Sequence, residues 1–129
     1  MSLTARTFDP RKSVPLQRYA RHVISEARRV DAVEKHLEEG SGLRVGSCLD
    51  ESQDSLREDF ACSTDALDRL CTAMRDAGAY GARLTGAGFG GYALAALPAD
   101  RVDVVVEAAR AEIGGPAFEV QPVDGFMVM

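Results

Sequence analysis

The reading turns on GARLTGAGFGGYALAAL, residues 81–97, which has five glycines in its first eleven positions and none afterwards. A strand leads to Thr85, the glycines surround Phe89, and a strand-like apolar run, Tyr92 to Leu97, follows. Gly86, Gly88 and Gly91 satisfy G-x-G-x-x-G. A dinucleotide fold would need a helix after those glycines, so that a pyrophosphate meets its N-terminus. GYALAALP is too short and is cut by Pro98. A protein-kinase loop would need a lysine on the next strand, an H-R-D loop and a D-F-G, and none is present. A Walker loop would need G-K-[ST]; Arg83 precedes the glycines and no lysine follows them. Two readings stay open on spacing alone. Glycines that accept positive φ can serve hairpin packing. With few side chains in the way, consecutive backbone N–H groups can also face an anion.

Upstream, helical periods predict three helices. Leu16, Tyr19, Ala20, Val23, Ala27, Val30 and Leu37 form one apolar stripe, closed by EEGSG. A second helix is expected from about Val45 to Phe60, with Val45, Cys48, Leu49, Leu56 and Phe60 on one face. The third follows CSTD, with Ser63 or Thr64 as its cap and Asp65 and Asp68 in its first turn. Its stripe is Leu67, Leu70, Cys71 and Met74, and Gly78 ends it. Downstream, Val102, Val105, Val106, Ala109 and Ile113 keep helical spacing up to Gly114-Gly115-Pro116. AFEVQPVDGFMVM, residues 117–129, reads as two short strands turning at Asp124-Gly125. The expected class is α+β: a two-layer sandwich, mainly antiparallel, with helices on one face of the sheet. Residues 1–15 are polar and aperiodic and read as a linker or tail; residues 16–129 read as one domain.

The totals set bounds. At 129 residues and 46% hydrophobic, the chain can bury a core without staples. Its net charge of −5 argues against a nucleic-acid surface. The arginines of YARHVISEARR are interleaved with acids, which reads as a solvated face. Cys48, Cys62 and Cys71 lack zinc spacing and read as reduced, buried thiols of a cytoplasmic protein. No apolar run approaches a membrane span, so no membrane partner is expected.

Several segments together resemble the galactose/homoserine/mevalonate/phosphomevalonate (GHMP) kinase family, and within it the galactokinases. They are RYARHVISEARRV, ESQDSLREDF followed by STDALDRL, the glycine stretch, and terminal DGFMVM. The resemblance covers about residues 16–129 and matches carboxy-terminal domains only. The family loop commonly has glycine at Ala87 and a small residue at Tyr92, and a proline where ACSTDALD has none.

The resemblance implies a ferredoxin-like arrangement and an ATP- and Mg2+-dependent sugar 1-kinase acting on galactose. An N-acetylgalactosamine kinase stays open, because the sugar-reading residues belong to the other half. It implies that Thr85, Gly86, Ala87, Gly88, Phe89, Gly90 and Gly91 form the nucleotide/phosphate-binding loop. Catalytic residues and metal ligands would lie in an amino-terminal kinase domain that this sequence does not show. The isolated chain is then expected to be inactive, and to self-associate through a bared domain interface. The alternative is a stand-alone module of the same fold, binding a small molecule or a protein without catalysis. For Arg83, the expectation is solvent or an acidic partner such as Glu119, ahead of phosphate. Ser63 is expected to cap and His22 to pack.

Overall fold

The computed structural model describes residues 15–86, 88 and 91–121. In chain order it gives α1 (Leu16–Glu38), α2 (Gly42–Glu58), α3 (Asp65–Asp76), β1 (Gly81–Thr85), β2 (Tyr92–Ala96), a 3-10 turn (Ala99–Arg101) and α4 (Val102–Ile113). The two strands pair antiparallel, with Gly81 opposite Ala96 and Thr85 opposite Tyr92. The glycine segment therefore links adjacent antiparallel strands, which rules out a parallel crossover there.

Local chemistry sets the helix ends. Ser41 accepts a hydrogen bond from Arg44 N and starts α2 three residues earlier than the apolar period suggests. Residue Ala61 ends the run, turning left-handed at φ 57°. Its turn lets Cys62 N–H donate back to Leu56 O at 3.0 Å and sends the Cys62 side chain inward. Thr64 Oγ1 accepts from Leu67 N at 3.2 Å and caps α3, with Asp65 and Asp68 in the first turn.

Two small cores join the helices to the two-stranded sheet. Leu70, Cys71 and Met74 of α3 meet Ala82 of β1 and Val105 and Ala109 of α4. Leu56, Cys62, Leu67 and Leu84 form the second. The α3 stripe is thus a core stripe, as its spacing predicts. Between α2 and β1 the contact is backbone on backbone. A methyl at Gly46 would overlap the Tyr80 carbonyl, and one at Gly81 would overlap Gly46. Gly42, one turn before Gly46, makes room for the Tyr80 ring.

Two expectations are corrected. The α1 period does mark a helix, but its apolar stripe is not the face turned to α2. Leu16, Val23, Val30 and Leu37 are exposed, while His22, Glu26 and Arg29 point into the molecule. A polar network there replaces apolar packing. Residues 117–121 are not a strand: Phe118 and Val120 are exposed, and strand backbone needs a partner to bond with. The Asp124-Gly125 turn and the rest of that tail lie outside the described residues.

Candidate functional site

The glycine segment brings bare backbone to the end of β1. Thr85 closes β1 and is half-buried. Gly86, Gly88 and Gly91 take φ of 84°, 83° and 98°, a region that L side chains avoid. Only glycine fits at Gly88 for a second reason. A Cβ there would lie 2.5 Å from Cys62 O and 3.0 Å from Cys62 Sγ. The segment therefore rests on Cys62, whose inward course is set by the turn at Ala61. Gly86 and Gly91 face open space. Ala87, Phe89 and Gly90 lie outside the described residues.

Side chains of α2 and α3 fix the strand that leads into the loop. The outer edge of β1 has no strand neighbour among the described residues. Asp50 Oδ1 accepts from Ala82 N at 2.9 Å and from Arg75 Nε at 2.6 Å. Arg75 then returns a bond to Ala82 O at 3.0 Å. One helical turn on, Gln53 Oε1 accepts from Leu84 N at 2.8 Å. The Gln53 amide nitrogen donates to Ser63 Oγ and Asp68 Oδ1, both at 2.9 Å. Asp50 and Gln53 thus satisfy edge donors that would otherwise invite another strand.

Arg83 points the other way along the strand. Its Nη1 donates to Glu26 Oε1 at 2.7 Å and to Ser52 Oγ at 2.8 Å, and its Nε donates to Leu84 O. The acidic partner is therefore Glu26 of α1 rather than Glu119. Burial pushes the Glu26 carboxyl up, but bonds from Ser52 and Arg29 and the charges of Arg83 and Arg29 outweigh it and hold it below its ordinary value. Every donor of Arg83 named here is spent within the domain, which argues for a structural guanidinium.

His22 packs, as expected. Its Nδ1 lies 2.9 Å from Ser55 Oγ, and its ring lies 5.1 Å from that of Phe60. Ser55 spends its one proton on Asp59, so Nδ1 is the donor to Ser55. Burial lowers the His22 pKa, with Glu26 opposing and Arg29 adding to the shift. The cap expected of Ser63 or Thr64 is Thr64's. Ser63 instead donates to Asp68 Oδ1 at 2.8 Å and receives Gln53.

All three cysteines are free and buried. Burial raises the thiol pKa of Cys62, and raises that of Cys71 to about 11, so neither is primed as a nucleophile. Among the described residues no cluster of His, Cys, Asp and Glu could hold a metal ion. Among the described residues the strand end is braced by side chains of α2 and α3 and leads into glycine backbone.

The sequence matches the family described as GHMP kinases C terminal over residues 32–114. The chain belongs to the GHMP kinase family. Among curated relatives, this GHMP kinase domain is 42% identical to a galactokinase of Mycobacterium tuberculosis over 93 residues, covering 72% of this chain and 26% of that one. It is 40% identical to a galactokinase of Streptomyces coelicolor over 116 residues, covering 85% and 30%. Among solved structures it resembles Lactococcus lactis galactokinase complexed with galactose, with TM-score 0.67 and 33% identity, covering 82% of this chain and 29% of that one. The chain therefore spans less than a third of these relatives' length, matching their carboxy-terminal part.

Sequence reasoning missed the braces of the GHMP kinase domain. Asp50 and Gln53 are three apart on a helix that also carries Gly42 and Gly46. That pattern marks one helix face that both approaches a backbone closely and has polar groups to give it. Glu26 as the partner of Arg83 had no local signal, since 57 residues separate them.

Proposed function

We propose that this chain is the lid domain of an ATP-dependent galactokinase and phosphorylates galactose at the 1-hydroxyl when joined to an amino-terminal kinase domain. The observation that carries the reading is the loop between β1 and β2: glycines at positive φ, seated on Cys62 at the end of a braced strand. Phosphoryl transfer asks protein mainly for positioning and charge stabilisation. Backbone N–H groups aimed at developing charge supply both, and need no side chain. Thr85, Gly86, Ala87, Gly88, Phe89, Gly90 and Gly91 would close over the transferred group and the sugar. ATP, Mg2+ and galactose would meet this loop across a cleft whose other wall, with the catalytic and metal-binding residues, belongs to the amino-terminal domain. We further infer a two-layer, ferredoxin-like sandwich with its helices on one face over residues 16–129, residues 1–15 being a linker, and a cytoplasmic protein.

One wall does not suffice. Losing three phosphate contacts at about 1.5 kcal/mol each lowers affinity by more than ~1,000-fold. The test is galactose-dependent ADP release. The 129-residue chain alone should show none. The same chain joined to the amino-terminal part of the S. coelicolor relative should show it. Turnover by the chain alone would sink the proposal.

A further inference from the structure

Among the described residues, one side chain ties the strand that enters the glycine loop to the residue on which the loop rests. At the strand, Gln53 Oε1 accepts from Leu84 N at 2.8 Å, two residues before Gly86. At the seat, a Cβ on Gly88 would lie 2.5 Å from Cys62 O and 3.0 Å from Cys62 Sγ, so the Gly88 backbone sits directly on Cys62. Ser63 follows Cys62, and its Oγ accepts from Gln53 Nε2 at 2.9 Å. The same nitrogen donates to Asp68 Oδ1 at 2.9 Å, and Ser63 Oγ donates to that oxygen at 2.8 Å.

Chemistry allows this amide one orientation. A backbone N–H only donates and a carboxylate only accepts, so the amide oxygen faces Leu84 and the nitrogen faces Asp68. Both amide protons are spent, one on Ser63 and one on Asp68. Gln53 is 1% exposed, and a buried network whose members are all satisfied is rigid. Asp50 and Arg75 grip β1 at Ala82, two residues farther from the loop than Leu84. We propose that Gln53 is a positioning residue for phosphoryl transfer. It fixes the strand against the Cys62 seat and so sets where the Gly86 and Gly88 backbone lies, acting through the loop rather than on substrate. The inference rests on the kinase role proposed for that loop. Backbone donors lower a barrier only where charge develops, so a displaced loop loses rate before it loses substrate affinity.

Substitutions separate the two grips. Gln53→Leu removes both. Gln53→Glu keeps an acceptor for Leu84 N but sets a second carboxylate against Asp68, which opens the seat by like-charge repulsion. Adding Asp68→Asn to Gln53→Glu puts a donor back opposite the new acceptor and should close it again. The first readout needs no catalysis. In the 129-residue chain, site-resolved alkylation by iodoacetamide compares Cys62 with Cys71, which is buried in the other core. Global unfolding raises both rates alike, whereas a local opening raises the Cys62-to-Cys71 ratio, by at least ~10-fold in Gln53→Leu and Gln53→Glu. The ratio should return towards wild type with Asp68→Asn added, and should not rise in Val105→Ala, which loosens the packing of α4 instead. The second readout is galactose phosphorylation by the same chain joined to the amino-terminal part of the S. coelicolor relative. Gln53→Glu should lower kcat about 10- to 100-fold, with KM for galactose and for ATP held within about twofold. Adding Asp68→Asn should recover most of that loss, and Val105→Ala should leave kcat unchanged. An unaltered ratio in the Gln53 variants would overturn the proposal, as would a normal kcat in a hybrid whose Cys62 has opened. A wild-type hybrid without turnover would overturn the kinase reading and the positioning role with it, whichever way the ratio moves.

Discussion

Gln53 ties three parts of this structure together. It is 1% exposed and joins three elements: β1 through Leu84 N, α3 through Asp68, and the α2–α3 connection through Ser63. Gln53→Leu keeps the volume and strands the Leu84 N–H. That should cost about 2–3 kcal/mol, measured by chemical denaturation, with faster amide exchange at Leu84 than elsewhere in β1. His22 sets the pH dependence. Burial holds its folded pKa below the ordinary imidazole value of 6.5, so the unfolded chain takes up the proton first. Stability is then full above about 6.5 and falls as pH drops through the folded value. Glu26 acts lower down, since its stabilising charge is lost only below 4.5, the ordinary carboxyl value. His22→Asn should flatten the fall in the denaturation midpoint that begins below about pH 6.5 and leave the fall below 4.5 in place. An unchanged slope in the upper window would show that another group titrates there.

The elements differ in how plainly the sequence announces them. The α3 stripe was legible because a helix that covers a sheet must turn its apolar residues inward. The same logic misleads at α1. Its apolar row is real, yet its inner face is the hydrogen-bonded set His22, Glu26 and Arg29, which no hydropathy period can show. The β1–loop–β2 unit was legible because glycine leaves few alternatives between two strands. Residues 117–121 alternate like a strand but have no described partner, and pairing is a property of the whole sheet. Gly46 shows the limit of propensity. On an exposed helix, Gly→Ala would stabilise by about 1 kcal/mol. Here the added methyl meets the Tyr80 backbone, so Gly46→Ala should cost about 3 kcal/mol or more, or prevent folding. Gly42→Ala meets only the movable edge of the Tyr80 ring, at 2.6 Å, and should stay within about 1 kcal/mol of wild type. Thermal melts of the two variants separate these outcomes.

At the scale of the whole molecule, polar side chains packed between the elements act as braces. Asp50, Arg75 and the Glu26–Arg83 pair hold β1, and among the described residues the strand end runs into bare glycine backbone. Such an arrangement makes sense as half of a cleft. The family was readable in the sequence because several motifs occur together in order. Their support was not readable, because Cys62, Asp50 and Gln53 reach the loop strand from distant parts of the chain. Among the described residues no helix is long and apolar enough to cross a membrane. The most direct measurement is the turnover number for galactose phosphorylation by this chain joined to the amino-terminal part of the S. coelicolor relative, with Gly88 intact and with Gly88→Val. A side chain at Gly88 must lift the loop off Cys62, and a displacement of about 1 Å at a positioning element can cost ~100-fold in rate. The account predicts a loss of at least that size in a protein that stays folded. A folded hybrid that turns over equally well with either residue would contradict it.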